Sequence, residues 1–145
     1  MASLDTFTGV VSYQIEEGCL THLAWGNAYQ GSPANLQVEQ QLKNYFNGKT
    51  KTFNLPVKPK GTAFQQKVWQ ALRTIDYDTL VTYQDVAQMV NSHPRAVGGA
   101  IGKNPIPVVV PCHRVVGKNG TLTGFSGGEG MATKKLLIEH EQKHK

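Results

Sequence analysis

The run Val108-Val109-Val110 stops at Pro111, and Cys112, His113 and Arg114 follow at once. Proline has no N–H to give to a β-ladder and ends a strand. The run is continuous rather than alternating, which predicts a strand buried on both faces. Cys112 is then expected where the strand passes into a turn or a helix start. Backbone N–H groups at a helix start lower a thiol pKa, and so does a nearby imidazole. A lone cysteine is, however, usually a small buried hydrophobe. Neighbours on an extended chain also point apart, so adjacency alone does not bring His113 to Cys112. A carboxylate that orients the imidazole would complete a nucleophile–base–orienter set. The segment "LLIEHE" (136–141) offers Glu139 and Glu141 on a predicted C-terminal helix.

The rest of the chain divides by its punctuation. "GVVSYQIEEGCLTHLAW" predicts two strands joined by a turn at Glu16-Glu17-Gly18. In "NLQVEQQLKNYFNG", Val38, Leu42, Tyr45 and Phe46 share one helical face and Asn47-Gly48 stops it. The lysine- and proline-rich "KTKTFNLPVKPKGT" predicts an extended linker with a domain boundary near residue 57. Next, "FQQKVWQALRTI" carries Phe64, Val68, Leu72 and Ile75 on one helical face, with Thr62 as cap. "VTYQDVAQMV" opens with a Thr82/Asp85 capping box and turns Val86, Met89 and Val90 inward. "NSHP" is a turn, Pro94 suits the first position of another helix, and "RAVGGAIG" continues it to Asn104-Pro105. The two short helices read as a helix-turn-helix. In the second, each of Gly98, Gly99 and Gly102 costs about 1 kcal/mol against alanine. Such a helix needs a close approach, either to a neighbouring element or to a nucleic-acid backbone. The fold class expected is α+β: a small N-terminal unit of sheet plus helix (1–57), then a mostly helical, winged-helix-like unit (58–145).

Charge narrows the partner. The 145 residues carry a net +5. Residues 58–118 hold eight basic residues against Asp76, Asp78 and Asp85, while residues 1–57 net −1. A basic segment that includes a helix-turn-helix fits a polyanion, although an ordinary basic surface gives the same count. No apolar stretch nears the roughly 20 residues that span a bilayer. The start "MASLDTFTGV" lacks a signal-peptide pattern, which predicts an intracellular protein of the cytoplasm or nucleus. Two cysteines are too few for a disulfide framework. Cys19 and His22 form a lone Cys-x-x-His, short of a tetrahedral metal set, so no metal is expected.

"NPIPVVVPCHRVVGKNGTLTGFSGG" (104–128) resembles the signature of the O6-alkylguanine-DNA alkyltransferases. The likeness continues through "GTAFQQKVWQAL", "VTYQDVA", "RAVGGAIGKNP" and "LLIEHE", in the family's order and across 61–141. Residues 1–57 match only in general character. The resemblance implies a monomer without cofactor that binds double-stranded DNA containing O6-alkylguanine and flips the lesion out of the stack. The alkyl group then passes irreversibly to a cysteine. It implies Cys112 as acceptor, His113 as the base acting through a water, and Glu141 as the group orienting His113. Arg95 is the implied finger that fills the flipped base's place. Ala96, Gly98 and Gly99 would lie close to the DNA backbone, with Thr82 and Arg114 as further DNA contacts. Tyr83 would offer its hydroxyl to the guanine ring, and Asn104 would hold the turn before the active-site strand. Backbone at Val115 and Ser126 would meet the guanine edges, with Pro107 and Phe125 as apolar walls. Alkyltransferase-like proteins, which recognise the lesion without transfer, replace the cysteine, and Cys112 is present. A winged-helix regulator would explain the basic helix-turn-helix but not Pro-Cys-His-Arg. A cysteine hydrolase would need no DNA-facing helix.

Overall fold

A computed structural model of the chain describes residues 2–29, 31–122 and 130–145. Its architecture is α+β. An N-terminal antiparallel sheet has the order β1 (Ser3–Thr6), β2 (Gly9–Glu16), β3 (Cys19–Trp25). Glu17 and Gly18 both take positive φ, 52° and 77°, the primed turn whose twist matches a two-residue hairpin. β1 was not expected. It is four residues long, with buried Leu4 beside exposed Asp5, too short to announce itself by period.

Helix α1 (Leu36–Phe46) buries Val38, Leu42, Tyr45 and Phe46, and the Asn35 side chain accepts from Val38 N. The linker is not free of the sheet: Leu20 and Val57 pair, with Leu20 N donating to Pro56 O and Lys58 N to Leu20 O. α2 (Ala63–Leu72) begins at a Thr62/Gln65 capping box. Its fully buried aromatic is Trp69, whereas Phe64 is only half-buried and Ile75 lies beyond the helix end. The Trp69 indole donates to Ala100 O at 2.9 Å and so ties α2 to the glycine-rich helix. A Cβ on Gly61 would stand 2.5 Å from this ring, so only glycine lets the chain pass there.

β4 (Val81–Thr82) leads into α3 (Tyr83–Met89), capped reciprocally by Thr82 and Asp85. Val86, Ala87 and Val90 are buried, but Met89 is exposed. Its expected inward placement is corrected: Val86 and Val90 lie one turn apart, and Met89 falls to one side of their line. α4 (Pro94–Gly102) follows with Pro94 in its first turn. Val97, Ala100 and Ile101 pack inward against α2 and α3.

The expected strand over 108–110 is a turn. Val110 N donates back to Ile106 O, and Val108 takes a φ of 77°, a conformation a β-branched side chain rarely adopts. The three valines are nonetheless buried. A continuous apolar run records burial, and burial alone does not distinguish a strand from a buried turn. The strand that does form is β5 (Val115–Val116), downstream of the cysteine and parallel to β4. α5 (Met131–Lys143) closes the chain. A single apolar cluster takes in Tyr13 and Leu42 from the N-terminal segment together with Val86, Val110 and Leu137.

Candidate active site

Cys112, His113 and Arg114 form one 3-10 turn, and all three are buried. Asn104 shapes the chain that enters it. Its Nδ2 donates to Val110 O at 2.9 Å, and its Oδ1 accepts from Ile106 N at 3.0 Å. The side chain thus closes the 106–110 turn from both ends and holds Val108 in its strained conformation. Cys112 N donates to Val110 O, completing the handover.

The thiol differs from the expected activated one. Burial pushes Cys112 above the ordinary thiol range, and a hydrogen bond with Asn104 and the charge of Lys134 reverse only part of that. Cys112 is therefore a thiol near neutral pH, and to act as a nucleophile it would need a base to take its proton. One 3-10 turn is too short to supply the electrostatic help of a longer helix.

His113 is the imidazole next to Cys112 in the chain. Its Nε2 lies 2.6 Å from Glu141 Oε2, both side chains being almost wholly buried. Nδ1 of the same ring is buried and meets no hydrogen-bonding group among the described residues. Burial, the first cause, lowers the imidazole pKa below its ordinary value, and Arg114 and Lys134 add to this against the pull of Glu141. Burial alone would raise the Glu141 carboxyl. Hydrogen bonds and charge from His113 and Arg114 reverse the sign and hold it well below the usual carboxylate range. Arg114, always charged, already balances Glu141, so the state we assign is a neutral imidazole beside an ionised carboxylate.

Glu141 is the hub. Oε2 faces His113 Nε2, Arg114 Nη2 at 3.0 Å and the Tyr45 hydroxyl at 2.7 Å. Oε1 accepts from Arg114 Nε and Asp78 N, each at 3.0 Å. Glu139, the alternative carboxylate, is exposed on the other side of α5. The placement of Arg114 among the DNA contacts is corrected. It is 7% exposed, Nη1 donates to Ile75 O at 2.7 Å, and the guanidinium lies over the Tyr77 ring.

Two residues of this neighbourhood were missed. Lys134 is buried on α5, donates to Val115 O at 2.5 Å and lies near the Tyr83 ring. It therefore takes up the Val115 carbonyl, part of the backbone expected to meet the guanine edges. Its signal was present: Lys134, Leu137, Ile138 and Glu141 follow the i, i+3, i+4, i+7 pattern of one buried face. Tyr45 was read only as core, since nothing local reveals where its hydroxyl goes.

The helix-turn-helix residues lie apart from this hub. Arg95 is exposed in the first turn of α4, and Ala96 and Gly98 are half-buried. A Cβ on Gly98 would touch Tyr83 at an ordinary 3.9 Å, while one on Gly99 or Gly102 would meet nothing within 4 Å among the described residues. Close packing against the described residues therefore does not account for Gly99 and Gly102. Thr82 serves as the cap of α3, and Pro107 is half-buried in the turn held by Asn104. Phe125 and Ser126 lie outside the described residues. Among the described residues no three His, Cys, Asp or Glu side chains converge as metal ligands, and no helix is long and apolar enough to cross a membrane.

The model of the 6-O-methylguanine DNA methyltransferase DNA-binding domain matches residues 63–143, from α2 to the end of α5. The chain belongs to this family. A methylated-DNA–protein-cysteine methyltransferase of Haemophilus influenzae is 50% identical over 113 residues, covering 76% of this chain and 62% of that protein. The constitutive methylated-DNA–protein-cysteine methyltransferase of Bacillus subtilis is 50% identical over 103 residues, covering 70% of this chain and 62% of that protein. The chain thus matches less than two thirds of the length of either family member. The crystal structure of Mycobacterium tuberculosis OGT in complex with DNA superposes with a TM-score of 0.89 at 36% identity, covering 98% of this chain and 92% of that one.

Proposed function

We propose that the protein repairs DNA by transferring the alkyl group of O6-alkylguanine to Cys112, once per molecule. The observation that carries this is the buried Cys112 turn beside a His113–Glu141 pair whose second imidazole nitrogen has no partner among the described residues. His113 Nδ1 takes the thiol proton through a water, while Glu141 holds the ring and stabilises the imidazolium that forms. The Cys112 sulfur attacks the alkyl carbon; the S–C bond forms as the C–O6 bond breaks. The bonding pair of C–O6 leaves with guanine, which takes up a proton. The thioether has no leaving group for water to displace, so the protein is spent.

The target carbon lies inside the duplex stack, and extrusion of the base costs a few kcal/mol. Arg95 offsets part of that cost by stacking in the vacated space and hydrogen-bonding the orphaned partner. The outer side of α4, with Ala96, Gly98 and Gly99, runs against the DNA backbone, and Thr82 touches it from the start of α3. Tyr83 offers its hydroxyl to the guanine ring, with Pro107 as apolar wall. The chain divides near residue 57 into a short N-terminal unit and the C-terminal unit that carries Cys112.

Exposure to duplex DNA carrying labelled O6-methylguanine, followed by intact-mass measurement, tests this. One methyl group per molecule is expected, on Cys112. Cys112→Ser should abolish transfer with duplex binding largely kept, and Cys19→Ser should transfer normally. Label on Cys19, or repeated turnover, would overturn the assignment. Recognition without transfer would favour a lesion-binding protein.

A further inference from the structure

Glu141 Oε2, the oxygen that holds His113, is also held from the far end of the sequence. Tyr45 sits on α1, ninety-six residues away, and its hydroxyl reaches that oxygen at 2.7 Å. The ring is fully buried and edges Phe46 and Tyr77. Its main chain is pinned as well, for the His140 Nε2–H donates to Tyr45 O at 2.8 Å. Helix α5 thus grips Tyr45 at two successive residues, His140 on the backbone and Glu141 on the hydroxyl. Burial and the Glu141 charge push the Tyr45 pKa well up, so the hydroxyl is a permanent donor.

We propose that Tyr45 is a positioning residue for Cys112 chemistry: by donating to the same carboxylate oxygen as His113, it fixes the rotamer of Glu141 and limits the negative charge that His113 experiences. The proposal rests on the reading of His113 as the base. A carboxylate oxygen that accepts an additional hydrogen bond is a weaker acceptor for its other donors. Without the hydroxyl, Oε2 would be shared by His113 and Arg114 alone, its pull on the Nε2 proton would rise, and imidazolium would be favoured. The other groups that face the pair are unchanged in sequence by loss of that hydroxyl. They are Arg114 and Cys112 on the 3-10 turn, Tyr77 and Asp78 after α2, and Lys134 and His140 on α5. The N-terminal helix thereby tunes the base, although it carries no residue of the signature.

The test follows transfer from free O6-benzylguanine, which needs no base flipping, in single-turnover mode from acid to alkaline pH. Tyr45→Phe keeps the ring and removes the hydroxyl. Its acid limb should move to higher pH by about half to one unit relative to wild type. Tyr13→Phe removes another hydroxyl from the N-terminal sheet, one that bonds Asn35, and should leave the limb in place. The ¹⁵N titration of His113 in Cys112→Ala and in Cys112→Ala/Tyr45→Phe should show the same shift without any transfer. If Tyr45→Phe does not fold, 3,5-difluorotyrosine at position 45 is a stronger donor and should move the His113 titration the other way. Coincident titrations with and without the hydroxyl, or equal shifts for Tyr13→Phe and Tyr45→Phe, overturn the proposal. Absence of a methyl adduct on the wild type after exposure to duplex O6-methylguanine would instead defeat the functional reading, and the ¹⁵N titration would still decide the coupling.

Discussion

The Glu141 hub and the outer side of α4 lie in one family domain and are built on opposite principles. Around Glu141 each carboxylate oxygen has two or more partners, drawn from α1, the segment after α2 and the Cys112 turn. On α4 the side away from Val97, Ala100 and Ile101 carries exposed Arg95 and Gly99, and a Cβ on Gly99 would meet nothing within 4 Å among the described residues. Buried charge requires partners on every side, because an unpartnered ion in low dielectric is expensive. A surface meant to meet a large polyanion needs the reverse, room and an unspent cation. Changes at the hub should therefore appear first in stability and in the base, and changes on α4 only when duplex DNA is present.

The largest effect is expected at Glu141. Glu141→Ala leaves buried Arg114 without its partner and should cost about 3–5 kcal/mol of unfolding free energy, measured by urea denaturation. Replacing both residues, Glu141→Leu with Arg114→Met, should cost less than Glu141→Ala alone, because no charge is stranded. A double variant worse than the single would show that the hub is more than a satisfied ion pair.

Arg95→Ala sharpens the other half of the comparison. Arg95 is exposed, so stability should change by no more than about 0.5 kcal/mol. Repair of O6-methylguanine in duplex DNA should slow strongly, and reaction with free O6-benzylguanine should not. Full recovery of the rate at saturating DNA would reduce Arg95 to a phosphate contact. Equal losses on both substrates would mean that α4 itself had been disturbed.

The pH dependence of stability belongs to the hub. Burial lowers His113 and His140 below their ordinary 6.5, so below that value the unfolded chain binds protons that the folded one refuses. Stability is therefore full above about 6.5 and falls as the pH drops. A second fall begins below the ordinary carboxyl value of 4.5, since Glu141 is held lower in the fold. Thermal melts from pH 8 down to about pH 2 should show both, and His113→Gln should weaken the first. A flat profile would remove the buried neutral imidazole.

The smallest effect is Gly99→Ala. Gly99 is helical and open to solvent, so alanine should stabilise α4 by up to about 1 kcal/mol while weakening duplex affinity. A stabilised variant with unchanged affinity would show that Gly99 does not face the DNA.

Local chemistry was legible in the sequence. The cap at Thr62, the capping box at Thr82, the turn at Glu17-Gly18 and the start of α4 at Pro94 all form within a few residues of themselves, and so does the periodic face of α1. The signature around Cys112 placed the chain in its family because many motifs occur in one order. Tertiary structure decided what depends on distant partners. It turned Val108–Val110 into a turn, because Asn104 closes it from both ends. It drew Arg114 inward to Glu141 and Ile75, chose Glu141 over Glu139, and sent the Tyr45 hydroxyl to the oxygen that holds His113. The reason is physical. A cap or a turn is satisfied by neighbours in the chain, whereas a buried charge is satisfied by whatever the fold brings within three ångströms.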